Sequence, residues 1–450
     1  MVRLNDQTLP VGEAMLGEMK GRTVSKTEGG VRVARLLNHC ANLLTERGQA
    51  VSMSLARDMW KLYADLNRRE QVAFFLALLN EFSPDPKQVL AAAEGYAAEA
   101  SKETLETLYQ TVASPRQELL RRLNRTPGGM AAILRLREHL RAPMREYPKL
   151  AMVDADFRHL LSSWFNPGFL QIVRVDWRTP AYLLERIIAH EAVHEIRGWD
   201  DLRRRLERDR RCFAFFHPAL PDEPLIFVEV ALLDEMPGSI TSLLDAPLAQ
   251  GDPERATVAV LYSINNCQPG LRGVSLGNFL VKQVAELLSA ELPRLRRICT
   301  LSPIPSFSGW LVGLLRKQLG ARPQPLADVL HVVARDLGRD LSRLAPDPSQ
   351  ARERLEPLKR PLMALCATYL ISPVVEGDAI QDPVARFHLN NGARLERINW
   401  AADLSKRSLQ QSLGMMVNYL YDPREIEANQ DRFLQGRIMA SRQVTSLALE

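Results

Sequence analysis

The chain has 450 residues, 46% of them hydrophobic and 25% charged, the make-up of a globular protein with material for about two to three domains. Its 58 Lys and Arg against 53 Asp and Glu leave a net charge of +5, too small an excess to imply nucleic acid but compatible with an anionic small ligand. No run of about 18 apolar residues is free of charge, which excludes a membrane-spanning helix. Five cysteines (Cys40, Cys212, Cys267, Cys299 and Cys366) are odd in number and never form a CxxC, so neither a disulfide framework nor a zinc cluster is legible and a reducing compartment follows. The N-terminal Met-Val-Arg-Leu-Asn-Asp lacks the apolar core of a secretory signal, and cytoplasm is the expectation.

From about Val31 to Trp164 apolar residues recur at spacings of three and four, as in Leu36, Leu37, Cys40, Leu43 and Leu44, which predicts an all-helical region. Pro84 and Pro86, Ser114-Pro115 and Thr126-Pro127-Gly128-Gly129 cut it into helices of ordinary length, and a bundle follows rather than a solenoid. After Asn166-Pro167-Gly168 short β-rich runs alternate with helical segments. Strands are predicted at Phe169–Val175, Cys212–Phe216, Leu225–Val230, Val258–Ser263, Arg297–Leu301, Leu395–Trp400 and Met415–Tyr421, with long helices between Trp310 and about Leu370.

Four places carry chemistry. His190-Glu191-Ala192-Val193-His194 is an HExxH pattern which, on a helix, sets two imidazoles one turn apart around zinc beside a general-base glutamate. The third ligand is missing, because Arg197 and Asp200 stand where the extended pattern needs Gly and His. Glu229 is an unsupported substitute, and an amphipathic helix over Tyr182–Ile196 explains the pattern equally simply. The second place is Gln268 to Asn278, followed by the helix Phe279–Leu288: small residues opening a helix after a strand present backbone N–H groups to a phosphate. It resembles the pyrophosphate loop of the GNAT acyltransferase superfamily, read as Arg272-x-x-Ser275-x-Gly277, with Ser275 departing from the usual glycine. A plain turn before a core helix accounts for it as well.

The third place is Thr300 to Trp310, where Pro303 and Pro305 stiffen the backbone around Ser302, while Ser308 reads as the N-cap of the helix at Trp310. The fourth is Arg386 to Ala393, where Asn390-Asn391-Gly392 signals a tight turn and puts His388 at a loop entry, although a lone His among apolar residues commonly belongs to a core. The Arg203–Arg205 and Arg208–Arg211 clusters read as a solvated helix face.

Taken together, the blocks Arg211–Phe216, Gly273–Leu280, Leu301–Phe307, Phe387–Ala393, Ile398–Asp403 and Gly414–Tyr419 resemble the malonyl-CoA decarboxylase family, in the family's order and across about Phe169 to Tyr421. The resemblance implies an α+β multidomain protein. Residues 1–165 would form a helical bundle used in oligomerisation, with a homo-tetramer implied, and residues 166–450 a GNAT-like mixed α/β catalytic domain that binds acyl-CoA. The implied reaction turns malonyl-CoA into acetyl-CoA and CO₂, as in fatty acid metabolism, with no metal or organic cofactor and no nucleic-acid or membrane partner. By position, the catalytic pair falls on Ser302 and His388. The CoA-binding loop falls on Arg272, Gly273, Val274, Ser275, Leu276, Gly277 and Asn278, with Asn418 and Tyr419 in support. Rivals are an acyltransferase of the same fold, a CoA-sensing scaffold and, more remotely, a zinc protease.

Overall fold

The computed structural model describes residues 28–45, 49–245, 252–274, 277–316, 324–337, 348–371 and 382–449. It divides into two compact units, the first formed by residues 1–170, 217–222 and 268–275 and the second by the rest.

In the first unit the predicted helices are α1 (Glu28–Thr45), α2 (Gln49–Ala64), α3 (Arg68–Glu81), α4 (Pro86–Ala98), α5 (Lys102–Val112), α6 (Pro115–Asn124), α7 (Gly129–Arg141) and α8 (Ala151–Trp164). Their starts follow from local chemistry. Asn67 and Glu70 form a reciprocal capping box, while Asp85 and Ser114 each cap a helix whose first residue is proline. Leu36, Leu43, Met59, Phe74, Phe75, Leu123, Ile133 and Phe157 make the core.

Two buried ion pairs cross this core. Arg116 Nη2 meets Asp156 Oδ2 at 2.8 Å, and Arg137 Nε meets Asp154 Oδ1 at 2.8 Å. Arg137 also donates to Gly270 O at 2.6 Å, and Gly270 lies so close to α7 that a Cβ there would stand 2.3 Å from Leu134 O. The α4–α5 hairpin buries none of its residues and leaves Leu90, Tyr109 and Val112 exposed.

The second unit is built on a mixed sheet in the order β1-β2-β3-β4-β5-β8-β6, with β7 also paired to β8. The strands are β1 (Gln171–Val175), β2 (Arg210–Phe216), β3 (Ile226–Leu233), β4 (Val258–Asn266), β5 (Arg297–Thr300), β6 (Ser302–Pro303), β7 (Arg394–Asn399) and β8 (Met416–Tyr421). All pairs are antiparallel except β4 with β5, which run parallel from Val258/Arg297 to Leu261/Thr300. Beyond that point β4 continues to Asn266 along β3 alone, and Tyr262 is an extra residue that bulges between Leu261 and Ser263. β5 and β6 are one strand interrupted at Leu301, and both pair with β8. The sheet carries two apolar clusters. One joins Cys212, Ala214, Phe216 and Phe227 to Leu184, Ile187 and Leu202, and the other joins Val258, Val260, Tyr262, Cys299, Leu301 and Met416.

Several local expectations are corrected. The helix expected over Tyr182–Ile196 is α9 (Ala181–His190), which stops where Glu191 turns extended. Arg205, Arg210 and Arg211, expected on a solvated face, are buried: Arg205 ends the short α10 (Trp199–Arg205), and the other two begin β2. Each has found an anion or carbonyl far along the chain, Arg205 on Glu229 at 2.9 Å, Arg210 on Leu243 O at 2.8 Å and Arg211 on Glu291 at 2.6 Å. Ser308 is not an N-cap but lies within α12 (Phe307–Arg316), and its hydroxyl has no protein partner. The long helical stretch is met by α12, α13 (Gln324–Leu337), α14 (Pro348–Leu355) and α15 (Lys359–Ile371); residues 317–323 and 338–347 of the expected stretch lie outside the described residues.

Candidate active site

Ser302 sits where β5 gives way to β6. Its backbone is pinned by pairing with Val417 on β8 and by the rings of Pro303 and Pro305, which remove most of the local freedom. His388 is not at a loop entry as expected. It occupies the last turn of α16 (Pro383–Asn390), and the turn at Asn391-Gly392 follows it. That helix begins at an Asp-Pro pair, with Asp382 Oδ1 accepting from Val384 N and Ala385 N, each at 3.0 Å. The other oxygen of Asp382 accepts from Ser306 N at 3.1 Å, so one carboxylate ties the start of the histidine's helix to the segment that carries the serine. Gly392 has φ +79°, and a Cβ there would lie 2.2 Å from Ile426 O, which fixes glycine at the end of α16.

The two side chains meet. Ser302 Oγ lies 3.0 Å from His388 Nε2, and the chain of hydrogen bonds runs on in both directions. Ser302 Oγ donates to Thr300 Oγ1 at 2.9 Å, and His388 Nδ1 lies 2.8 Å from the hydroxyl of Tyr421. Thr300 Oγ1 also accepts from Tyr419 N at 3.2 Å, while the Tyr419 ring stacks on the imidazole with centroids 4.6 Å apart. Asn418 is fully buried. Its amide donates to Thr300 O at 2.8 Å, and its Oδ1 accepts from Arg397 Nε at 3.0 Å and Asn399 Nδ2 at 2.7 Å. These bonds tie the end of β5 to β8 and, through Asn418, to β7.

Burial sets the electrostatics. His388 is 3% exposed, and desolvation pushes its pKa down to about 3, so the ring is neutral near pH 7. The same cause pushes the Tyr421 phenol well above its ordinary value, so it is protonated in the resting site. The site is a string of neutral hydroxyls around one neutral imidazole. It holds protons ready to give rather than charges to pair.

The HExxH residues form a different structure. With α9 ending at His190, the imidazoles of His190 and His194 do not sit one helical turn apart. Glu191 instead accepts from Val193 N and His194 N with one oxygen and from Ser263 Oγ and Asn265 Nδ2 with the other. Glu229 is engaged by Arg205, and no group of three or more His, Cys, Asp or Glu among the described residues is arranged to hold a metal ion. In the loop taken for CoA, Arg272 and Gly273 are exposed in a turn with Gly273 at φ +80°, and Val274 is buried. Arg141 donates to Arg272 O at 3.3 Å. Ser275 and Leu276 lie outside the described residues, and Gly277 and Asn278 open the 15-residue helix α11 (Gly277–Glu291).

Buried titrating groups give the native state a pH signature. His388 and His194, the latter pushed to about 4 chiefly by burial, both titrate below the ordinary 6.5. The unfolded chain therefore binds protons first as pH falls through 6.5, and their contribution is complete above 6.5 and declines below it, by up to about 1.4 kcal/mol per pH unit for each. Glu229, raised to about 7 by burial, has the opposite sign between its ordinary 4.5 and 7. The expected urea-denaturation free energy is nearly level from pH 6.5 to 7 and falls steadily below pH 6. A stability that rises from pH 6 to pH 5 would contradict these assignments.

With that geometry in place, comparison with known proteins adds the family. The model of the malonyl-CoA decarboxylase C-terminal domain matches residues 168–450, and that of the N-terminal domain matches residues 82–165. The chain belongs to the malonyl-CoA decarboxylase family. It is 39% identical over 344 residues to the mitochondrial malonyl-CoA decarboxylase of Anser anser anser, covering 73% of this chain and 68% of that protein. It is 36% identical to the enzyme of the same name from Rattus norvegicus, over 74% of this chain and 70% of that one. The crystal structure of malonyl-CoA decarboxylase from Rhodopseudomonas palustris superposes with a TM-score of 0.84 at 42% identity, covering 92% of this chain and 99% of the other. That from Agrobacterium vitis gives 0.82 with the same identity and coverage. As a member of the family this chain is a decarboxylase, a carboxy-lyase.

Thr300, Tyr421 and Asp382 were not singled out in the sequence, although signals for them exist. Thr300 precedes Ser302 by two residues and Tyr421 follows Tyr419 by two, the spacing at which strand residues share a face. Asp382-Pro383 is a helix-start pair.

Proposed function

We propose that this chain converts malonyl-CoA into acetyl-CoA and CO₂ without metal or organic cofactor, and that Ser302 and His388 manage the proton. The observation that carries this reading is the buried 3.0 Å contact of Ser302 Oγ with His388 Nε2, in a chain of this family. When the C–C bond to the carboxylate breaks, its electron pair stays on the substrate and delocalises into the thioester as an enolate, so the substrate supplies its own electron sink. The protein must then desolvate the carboxylate, donate hydrogen bonds to the enolate and deliver one proton to the α-carbon.

Both ring nitrogens of His388 are engaged, one by Ser302 and one by Tyr421, so the imidazole acts through the serine rather than on the substrate. Ser302 gives its hydroxyl proton to the α-carbon and takes the Nε2 proton, while Nδ1 takes the proton of Tyr421. A proton from water restores the phenol before the next turnover.

The GNAT-like reading of the second unit is part of the same proposal. It is supported by the parallel β4–β5 pair that parts after Leu261/Thr300, leaving one edge of β4 from Tyr262 to Asn265 without a strand partner among the described residues. An extended ligand with amides, such as the pantetheine arm of CoA, can add to such an edge as a further strand. Residues 272–278 remain our assignment for the CoA pyrophosphate, with the N–H groups at the start of the Gly277–Glu291 helix suited to an anion. Homo-oligomerisation, tetrameric by the family resemblance, is supported by the uncovered Leu90, Tyr109 and Val112 of the α4–α5 hairpin. Five free thiols, all buried, agree with a reducing compartment, and we read cytoplasm.

Incubation with malonyl-CoA alone tests the reaction. Stoichiometric acetyl-CoA and CO₂ without any added amine is the expected result. Strict dependence on an acceptor amine would make the chain an acyltransferase, and binding without turnover would make it a CoA sensor.

A further inference from the structure

We propose that Thr300 is a positioning residue that sets the direction of the whole hydrogen-bond chain and so makes Ser302 a proton donor rather than a nucleophile. The inference rests on the decarboxylase reading above and deepens it.

The argument follows the hydrogens one at a time. Ser302 has a single hydroxyl hydrogen, and its geometry directs that hydrogen to Thr300 Oγ1 at 2.9 Å. The serine can therefore meet His388 Nε2 only as an acceptor, and the 3.0 Å contact requires a hydrogen on Nε2. A neutral imidazole carries one hydrogen, so Nδ1 is bare and the 2.8 Å contact with Tyr421 is a bond donated by the phenol. Every hydrogen then points the same way, from Tyr421 through His388 and Ser302 to Thr300. Without an acceptor at Thr300 the serine hydrogen turns to Nε2, the ring takes the opposite tautomer, and Ser302 becomes a hydroxyl activated for attack on a carbonyl, as in a serine hydrolase.

Thr300 is well built for this task. It is fully buried at the end of β5, its carbonyl is held by Asn418 Nδ2 at 2.8 Å, and its Oγ1 takes a second bond from Tyr419 N at 3.2 Å. When substrate is present, the Ser302 hydrogen needs only to rotate from Thr300 to the nascent carbanion. The Nε2 hydrogen already lies on the serine oxygen to replace it, and no tautomer exchange precedes the transfer. The step leaves the negative charge that the substrate brought on the relay, where water neutralises it.

Two measurements on the full-length protein test the proposal. In the unaltered protein, ¹⁵N labelling of histidine, with His388→Asn to assign the signal, should show His388 protonated at Nε2 and bare at Nδ1. A ring protonated at Nδ1 would overturn the proposal without any variant being made. Thr300→Val keeps the shape and removes the acceptor. It should lower kcat for malonyl-CoA by about one to two orders of magnitude, part of what a positioned donor supplies, with KM within about twofold. It should also move the His388 signals toward the Nδ1-protonated form. Thr300→Ser should restore both kcat and tautomer, which a loss of packing alone would not predict. An unchanged kcat and tautomer in Thr300→Val would remove Thr300 from the mechanism. Full activity in Ser302→Ala would instead sink the decarboxylase role of the pair, while the ¹⁵N result would still judge Thr300.

Discussion

Replacing Ser302 with Ala, or His388 with Asn, is expected to lower kcat by roughly 10²–10⁴-fold while leaving CoA affinity close to that of the unaltered protein. Ser302→Ala removes the only hydroxyl that both receives from the imidazole and can turn toward substrate, so the enolate must wait for a proton from solvent. His388→Asn leaves the serine its hydrogen but not the group that replaces it, and it opens the stack on Tyr419. Neither residue lies in the segment assigned to the CoA pyrophosphate, which is why binding and turnover should separate. Each variant orphans a buried polar partner at a cost of about 1–3 kcal/mol, so a denaturation curve must accompany the kinetics. Near-normal kcat in either folded variant would remove that residue from the mechanism.

The largest effect on stability is expected from Asp154→Ala. Arg137 is 1% exposed, and Asp154 is its only ionic partner among the described contacts, so truncating the acid leaves a cation in the core of the helical unit. Breaking a buried pair on one side costs about 3–5 kcal/mol, whereas replacing both partners with apolar residues of similar size is often close to neutral. The double change Arg137→Met with Asp154→Leu should therefore be more stable than Asp154→Ala alone, even though it also gives up the bond to Gly270 O. Urea-denaturation midpoints of the three proteins read this directly. A loss below about 1 kcal/mol for Asp154→Ala would show that water reaches the guanidinium.

The strands and helices were legible wherever a period of two or of three to four ran between glycine and proline breaks, and strand ends shifted by only a few residues. Where the reading failed, the cause was a partner far away in sequence. Arg205, Arg210 and Arg211 look like a solvated face until Glu229, Leu243 O and Glu291 are seen to receive them. The HExxH helix looks continuous until Glu191 is seen to collect four donors, two of them from β4, which outweigh another turn of helix. Ser302 and His388 were placed only through the family resemblance. Their contact spans 86 positions, and no periodicity reports it. The direction of the hydrogen bonds around them is a property of the folded site alone, because it is decided by a threonine that any strand could carry.

The first unit borrows residues 217–222 and 268–275 from chain that is synthesised well after its helices. Arg137 has one acceptor within those helices, Asp154, but its second waits for Gly270, and the surface of α7 that receives Gly270 stays bare until then. During synthesis the second of these segments therefore follows all of the sheet's first four strands. A fragment cut at the apparent boundary near residue 170 would lack both segments, and Arg137 would lose its bond to Gly270 O.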